Sequence, residues 1–223
     1  GFYALAHRIL TLPVSLIGGA VGNVFHANGA ELHRDGKLSE QVATVHDKLA
    51  QIGMPPALVV FFVGPDLFAL AFGEQWREAG LLARWMAPWL YVLLCDAGLR
   101  VFIITGHQRL ALGMHGVQWF LRVAAIGVGA LFYDFHIAVV LFSMVSVLSY
   151  CAFIYMKFKV TDTAFLVAVT SHVKALGLGL ICVSPVLGFF QVASPSHMQL
   201  ASAFVACSVI TIFRYFILYR YNR

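Results

Sequence analysis

Seven apolar runs constrain this chain more than any other feature of its sequence. A helix needs about 20 residues to cross the hydrocarbon core of a bilayer, and each run is close to that length. The runs lack the alternation of transmembrane β-strands, so the sequence predicts an all-α, polytopic membrane helix bundle with about seven transmembrane helices. The predicted spans are 10–28, 53–72, 80–104, 110–133, 136–156, 173–192 and 199–219.

The composition excludes an ordinary soluble domain. Hydrophobic residues make up 61% of the chain and charged residues 11%, whereas soluble domains carry about 25% charged residues. The formal net charge of +5 could suggest a nucleic-acid partner. However, the basic residues cluster at the ends of the apolar runs, which is the pattern of membrane topology. We therefore expect no nucleic-acid partner.

Residues 61–89 are predicted to form the hairpin around which the bundle is organised. A short polar turn, FGEQWREAG at 72–80, separates two runs of membrane length. Residues 30–50 are expected to be a long polar connection. An amphipathic helix within it would lie at the membrane surface, since its apolar residues recur at helical spacing. Those apolar residues are Leu38, Val42, Val45 and Leu49.

The distribution of basic residues predicts the orientation. Eleven lie on one side of the predicted spans and three on the other, with Arg122 in mid-span, so the first side and the C-terminus are expected to be cytoplasmic. Trp76, Trp85 and Trp89 would mark the opposite interface. The eleven are Arg34, Lys37, Lys48, Arg100, Arg109, Lys157, Lys159, Lys174, Arg214, Arg220 and Arg223, and the three are Arg8, Arg77 and Arg84.

Charged residues inside the spans are the candidates for function. A lone Arg at the bilayer centre costs about 2.5–3.5 kcal/mol on insertion scales, so Arg122 is expected to face a wet cavity or a carboxylate on a neighbouring helix. Asp96 and Arg100 are four residues apart and are expected to pair along one helix face. That pair would be structural, or Asp96 would exchange a proton. Arg84 could reach the interface or guard a cavity mouth.

Signatures of catalysis and of metal binding are not found. The nine His show no HxxxH or HExxH spacing, and the chain has no phosphate-binding loop, no GxSxG elbow and no dinucleotide fingerprint. The four Cys lie within apolar runs and predict no disulfide framework. We therefore expect a protein that is not an enzyme and that needs no cofactor or metal.

Three stretches resemble a known family. The first is GFYALAHR at 1–8 with Leu12-Pro13, which resembles the motif "GYYxLAxR…LP" and has Phe2 where Tyr is usual. The second is FGEQWREAG at 72–80, which resembles "FGxxWxxAG". The third is TGHQR at 105–109, which resembles "TGxx". These motifs are similar to those of polysaccharide flippases, the Wzx-type members of the multidrug/oligosaccharidyl-lipid/polysaccharide (MOP) exporter superfamily. The likeness covers residues 1–159, and the motif at 72–80 is its most specific part.

The resemblance implies a transporter with two lobes across a central cavity. Residues 1–160 would supply five helices of the second lobe, residues 161–223 an additional C-terminal hairpin, and the missing N-terminal lobe of the same chain would be a partner. It also implies ion-coupled transport of an undecaprenyl-diphosphate-linked oligosaccharide across the bacterial inner membrane, for surface polysaccharides such as O-antigen in lipopolysaccharide.

A diphosphate headgroup within a membrane needs cations, and Arg supplies a lasting charge with a bidentate fork. The candidate cavity residues are Arg122, Arg84, Arg100 and Arg8, and Asp96 is the candidate for a coupling proton. One alternative is a multidrug or cation antiporter, for which acidic cavity residues are expected. Another is a membrane polysaccharide polymerase, which would need a large outer loop.

Overall fold

The computed structural model describes residues 1–131 and 134–191, and all of its regular structure is helical within those ranges. The predicted span 199–219 lies outside the described residues, as does residue 192 of the preceding span. The helices are α1 Phe2–Arg34, α2 Leu38–Phe72, α3 Arg77–Ala97, α4 Val101–Ile104, α5 Gln108–Leu131, α6 Phe135–Val160 and α7 Phe165–Gln191, with a 3₁₀ turn at Glu74–Trp76.

In the part of the chain that the structure describes, five helical segments are long and apolar enough to cross a membrane: Phe2–Arg34, Leu38–Phe72, Glu74–Ile104, Phe135–Val160 and Phe165–Val186. The 24-residue α5 also has the length of a span, but His115, Gln118 and Arg122 make it less apolar than these five. The predicted all-α, polytopic membrane helix bundle is confirmed.

Helix α3 lies at the centre of the bundle. In the span that contains α3, Glu74–Ile104, 61% of the most apolar stretch is buried inside the protein, whereas the corresponding share is 22–33% in the other four candidate spans. It packs against α1, α2 and α6, while α5 packs on α6 and α7 packs on α2. The α2–α3 pair makes the most extensive of these contacts, so the hairpin predicted at 61–89 is confirmed as the organising element.

Glycine allows α2 and α3 to approach so closely. A Cβ atom on Gly80 would collide with the Gly64 carbonyl oxygen and with the Cα of Pro65. The turn between the helices needs Gly73, which has a φ of +100°, a conformation that other residues rarely adopt. Arg77 then ties the turn to α2, since it pairs with both Asp66 and Glu74.

The prediction of a long polar connection at residues 30–50 is wrong. Helix α1 continues to Arg34 and α2 begins at Leu38. The apolar face of residues 38–49 is real, but it packs inside the protein, where Leu38, Val42 and Leu49 are buried. With 33 and 35 residues, α1 and α2 are each about 50 Å long, so they project about 20 Å beyond a 30 Å hydrocarbon core.

The predicted third span, 80–104, is not one continuous helix. Helix α3 ends at Ala97, and residues 98–100 form a non-helical break before α4. At this break Gly98 lies very close to Leu49 and Val21. A Cβ atom on Gly98 would be 2.8 Å from the side chain of Leu49 and 2.9 Å from that of Val21. Trp89, expected at the membrane interface, is instead buried with 4% of its surface exposed.

Candidate functional site

Three cavities, which α1, α3, α5 and α6 contribute to line, follow one side of the bundle. One cavity of about 360 Å³ lies among Tyr3 on α1, Ile126 on α5 and Phe142 on α6. A second, of about 240 Å³, lies at the other end of α5, between His115 and Lys157. A third, of about 350 Å³, follows α1. We call these three cavities together the α1–α5 groove.

Arg122 lies between the first two cavities, on the face of α5 that meets α6. Its Nε donates to Ser146 Oγ over 3.0 Å. Its guanidinium carbon is 5.0 Å from the ring centre of Phe142, 5.4 Å from that of Tyr150 and 5.7 Å from that of Trp89. Arg122 forms no ion pair with any described carboxylate. Three aromatic rings therefore stabilise a cation that no acid in the described ranges neutralises.

Four buried donors around Arg122 are unused, and we call them the donor cluster. Arg122 Nη2, Gln118 Nε2, Ser143 Oγ and Trp89 Nε1 make no hydrogen bond with the described residues. Gln118 is one helical turn before Arg122 on α5, and Ser143 is nearly one turn before Ser146 on α6. An unmet buried donor costs about 1–3 kcal/mol. A ligand with several acceptor oxygens would recover that cost, and a phosphate group is such a ligand.

Asp96 does not pair with Arg100, so that prediction is wrong. Because α3 ends at Ala97, Arg100 no longer lies one helical turn above Asp96. The partner of Asp96 is Lys157 on α6, whose Nζ is 2.6 Å from Oδ1 and also donates to the Asp96 carbonyl oxygen over 2.9 Å. Lys157 was expected in a loop, but α6 continues past it to Val160.

Arg100 and Asp96 lie where two cavities of the groove meet. Arg100 contributes to the cavity that contains Asp96, Lys157 and His115 and also to the cavity along α1. Its Nη2 donates to Asn23 Oδ1 over 3.2 Å. Of the five residues predicted from the sequence, Arg100 and Asp96 line these cavities, and Arg122 lies on α5 between the residues that line two of them.

The structure does not bring Arg84 and Arg8 into that set. Arg84 lies on the α2 side of α3, where its Nη2 donates to the Phe62 carbonyl oxygen over 3.0 Å. Arg8 is exposed on α1, one turn before Thr11, which lines the α1 cavity.

Sequence reasoning missed Lys157, Gln118, Ser143 and Trp89. For Gln118 a signal was present, because it lies four residues from Arg122 and so shares its helix face. Lys157 could not be predicted as the partner of Asp96, because the two residues are 61 positions apart and the helices α4 and α5 lie between them.

One comparison with known proteins found a relationship. A family model described as "Polysaccharide biosynthesis protein" matches residues 1–80. The first 80 residues are similar to polysaccharide biosynthesis proteins. The match covers α1, α2 and the turn with the FGEQWREAG stretch. No curated protein and no solved structure matches the chain. Together, the match and the apolar helices fit a multi-pass membrane protein with a role in polysaccharide biosynthesis.

Proposed function

We propose that this chain is the second lobe of a MOP-type flippase that moves a polyprenyl-diphosphate-linked oligosaccharide across the bacterial inner membrane by alternating access. The N-terminal lobe would complete the transport cavity. The observation that carries this proposal is Arg122, an intramembrane cation with three aromatic neighbours and no described carboxylate partner.

The groove suits an amphipathic anion. The donor cluster offers hydrogen-bond donors to phosphate oxygens, and the guanidinium offers two parallel donors to one phosphate group. The adjacent cavity of about 360 Å³ is lined mostly by apolar side chains, which would accept the lipid part of the substrate. A cation antiporter would instead need a free carboxylate within the spans, but Asp96, the candidate from the sequence, is paired with Lys157.

Replacement of Arg122 tests the proposal in a strain that depends on this protein for surface polysaccharide. Arg122→Ala should lower export at least about 100-fold, which corresponds to the loss of roughly 3 kcal/mol of binding to a charged group. Arg122→Lys should retain part of the activity, because it keeps the charge but loses the bidentate fork. The readout is surface polysaccharide per cell, at protein levels matched by immunoblot.

Arg34→Gln is the matched control, since Arg34 is an exposed arginine at the end of α1. It should export as the unmodified protein does. Full export by Arg122→Ala would remove the anion site from the mechanism. Accumulation of the lipid-linked oligosaccharide in the inner leaflet of the Arg122→Ala strain would distinguish a transport defect from a polymerase defect.

A further inference from the structure

A second polar cluster lies away from Arg122, where α2, α3, α6 and α7 meet. His46 on α2 is fully buried, with its ring edge-to-face against Phe158 of α6 at 5.1 Å and His172 of α7 at 5.0 Å. His172 Nδ1 is 2.6 Å from the hydroxyl oxygen of Tyr91 on α3. We call His46, Tyr91, Asp96, Lys157 and His172 the His46 cluster.

The imidazole of His46 has no structural use that an apolar ring would not serve. Neither of its nitrogens makes a hydrogen bond to a described residue. The backbone of Cys95 on α3 lies close to the ring. A Phe at this position would keep both ring contacts without burying two polar atoms, whose burial costs free energy when they are unpaired. The choice of histidine therefore points to proton chemistry.

None of the described carboxylates forms an ion pair with the ring of His46. From α6 the ring faces Lys157, and from α7 it faces His172. From α3 the cluster has Tyr91, Cys95 and Asp96, and the carboxylate of Asp96 is held by Lys157. On α2 the neighbouring Asp47 accepts a hydrogen bond from Gln51 over 2.6 Å. A buried charge is tolerated when it is paired, so the closed cluster holds His46 neutral.

We propose that the His46–His172 pair is a proton-binding site, and that proton uptake there favours separation of α2 and α7 from α3 and α6. One proton passes from hydronium in the aqueous phase to a ring nitrogen, so that an O–H bond breaks, an N–H bond forms and a water molecule is left. The cavity of about 240 Å³ supplies a route, because Asp96 and Lys157 line it and also belong to the His46 cluster. The use of this proton to drive transport rests on the function proposed above.

Hydrogen exchange of the full chain in lipid nanodiscs tests the site without reference to transport. If His46 is neutral in the closed form and protonated in the open form, the open form binds more protons, and closure weakens as pH falls. Opening should increase by up to about tenfold per pH unit below about pH 6.5, which amounts to about 15-fold between about pH 6.5 and about pH 5. The readout is amide exchange in residues 42–54 and 168–179, corrected for intrinsic rates.

His46→Gln should abolish the pH response while leaving exchange at about pH 8 unchanged. If that variant does not fold, His46→Phe, which keeps the ring contacts, serves in its place. The control is His33→Gln, an exposed histidine near the end of α1, and it should respond as the unmodified chain does. A flat profile in the unmodified chain, or a response retained without His46, would overturn the site.

Transport measurements separate this inference from the proposed function. A pH response that depends on His46, in a protein that moves no lipid-linked oligosaccharide between the two leaflets of proteoliposomes, would support the proton site and reject the flippase. Transport that keeps its full dependence on a proton gradient in His46→Gln would reject the coupling role and leave the flippase standing.

Discussion

Loss of either partner of the Asp96–Lys157 ion pair is expected to lower the stability of the fold strongly. The two side chains are 12% and 7% exposed, so removal of one partner leaves an uncompensated charge in the interior. Such a loss costs about 3–5 kcal/mol, whereas replacement of both partners by apolar residues is often nearly neutral. The pair therefore stabilises the contact between α3 and α6 mainly because each charge would be so unfavourable alone.

A double-mutant cycle tests this account. Lys157→Met and Asp96→Leu should each lower the free energy of unfolding by about 3–5 kcal/mol, and the double variant should lose less than either single variant. The measurement is denaturant unfolding in detergent micelles, followed by circular dichroism. Additive losses would mean that the two groups do not compensate each other.

The donor cluster predicts opposite signs for stability and export. Ser143→Ala removes a buried hydroxyl that has no described partner, so it should raise the free energy of unfolding by roughly 1 kcal/mol. The same variant should weaken export, because a ligand loses a donor. Ser149→Ala is the control, since Ser149 Oγ already donates to the Val145 carbonyl oxygen over 2.7 Å, and it should leave export intact. Parallel loss of stability and export in Ser143→Ala would make Ser143 merely structural.

At the scale of helices, the features that could be predicted are those that depend on residues close to one another in the sequence. The α2–α3 hairpin was predictable because a short polar turn between two apolar runs brings them together in any arrangement of the bundle. The end of α3 was not predicted: Gly98, where the helix ends, packs against Leu49 and Val21, which are distant in sequence. The partner of Asp96 was hidden for the same reason. Arg122 could be selected as a candidate from the sequence, because a charged residue in the middle of an apolar run stands out before its contacts are known.

Gly80 offers a test of the α2–α3 contact. Gly80→Ala would place a Cβ against backbone atoms of Gly64 and Pro65. Backbone yields less than a flexible side chain, so the cost should be about 1–3 kcal/mol of unfolding free energy. Gly177→Ala on α7 has open space around its Cβ and should be neutral or stabilising by up to about 1 kcal/mol. Equal thermal stability of the two variants would contradict the close contact.

At the scale of the whole molecule, the two ends of the bundle differ in charge and in shape. The helices alternate in direction, so the connections at 35–37 and 161–164 lie at one end, and the turn at 73–76 lies at the other. The first end carries Arg34, Lys37 and Lys159, together with the projecting ends of α1 and α2. Basic residues near short connections are retained on the cytoplasmic side, so this end should be cytoplasmic.

Cysteine labelling in cells tests that orientation. In a chain whose native cysteines are replaced by Ser, Gly36→Cys should be inaccessible to a membrane-impermeant maleimide until the inner membrane is opened. Gln75→Cys, in the turn at the other end, should react in intact cells with a permeable outer membrane. Both positions are exposed, so a difference in labelling would come from the membrane rather than from burial. The reverse pattern would mean that the bundle has the opposite orientation. The Arg100 end of the groove would then face outward, where a substrate made in the cytoplasm could not bind first.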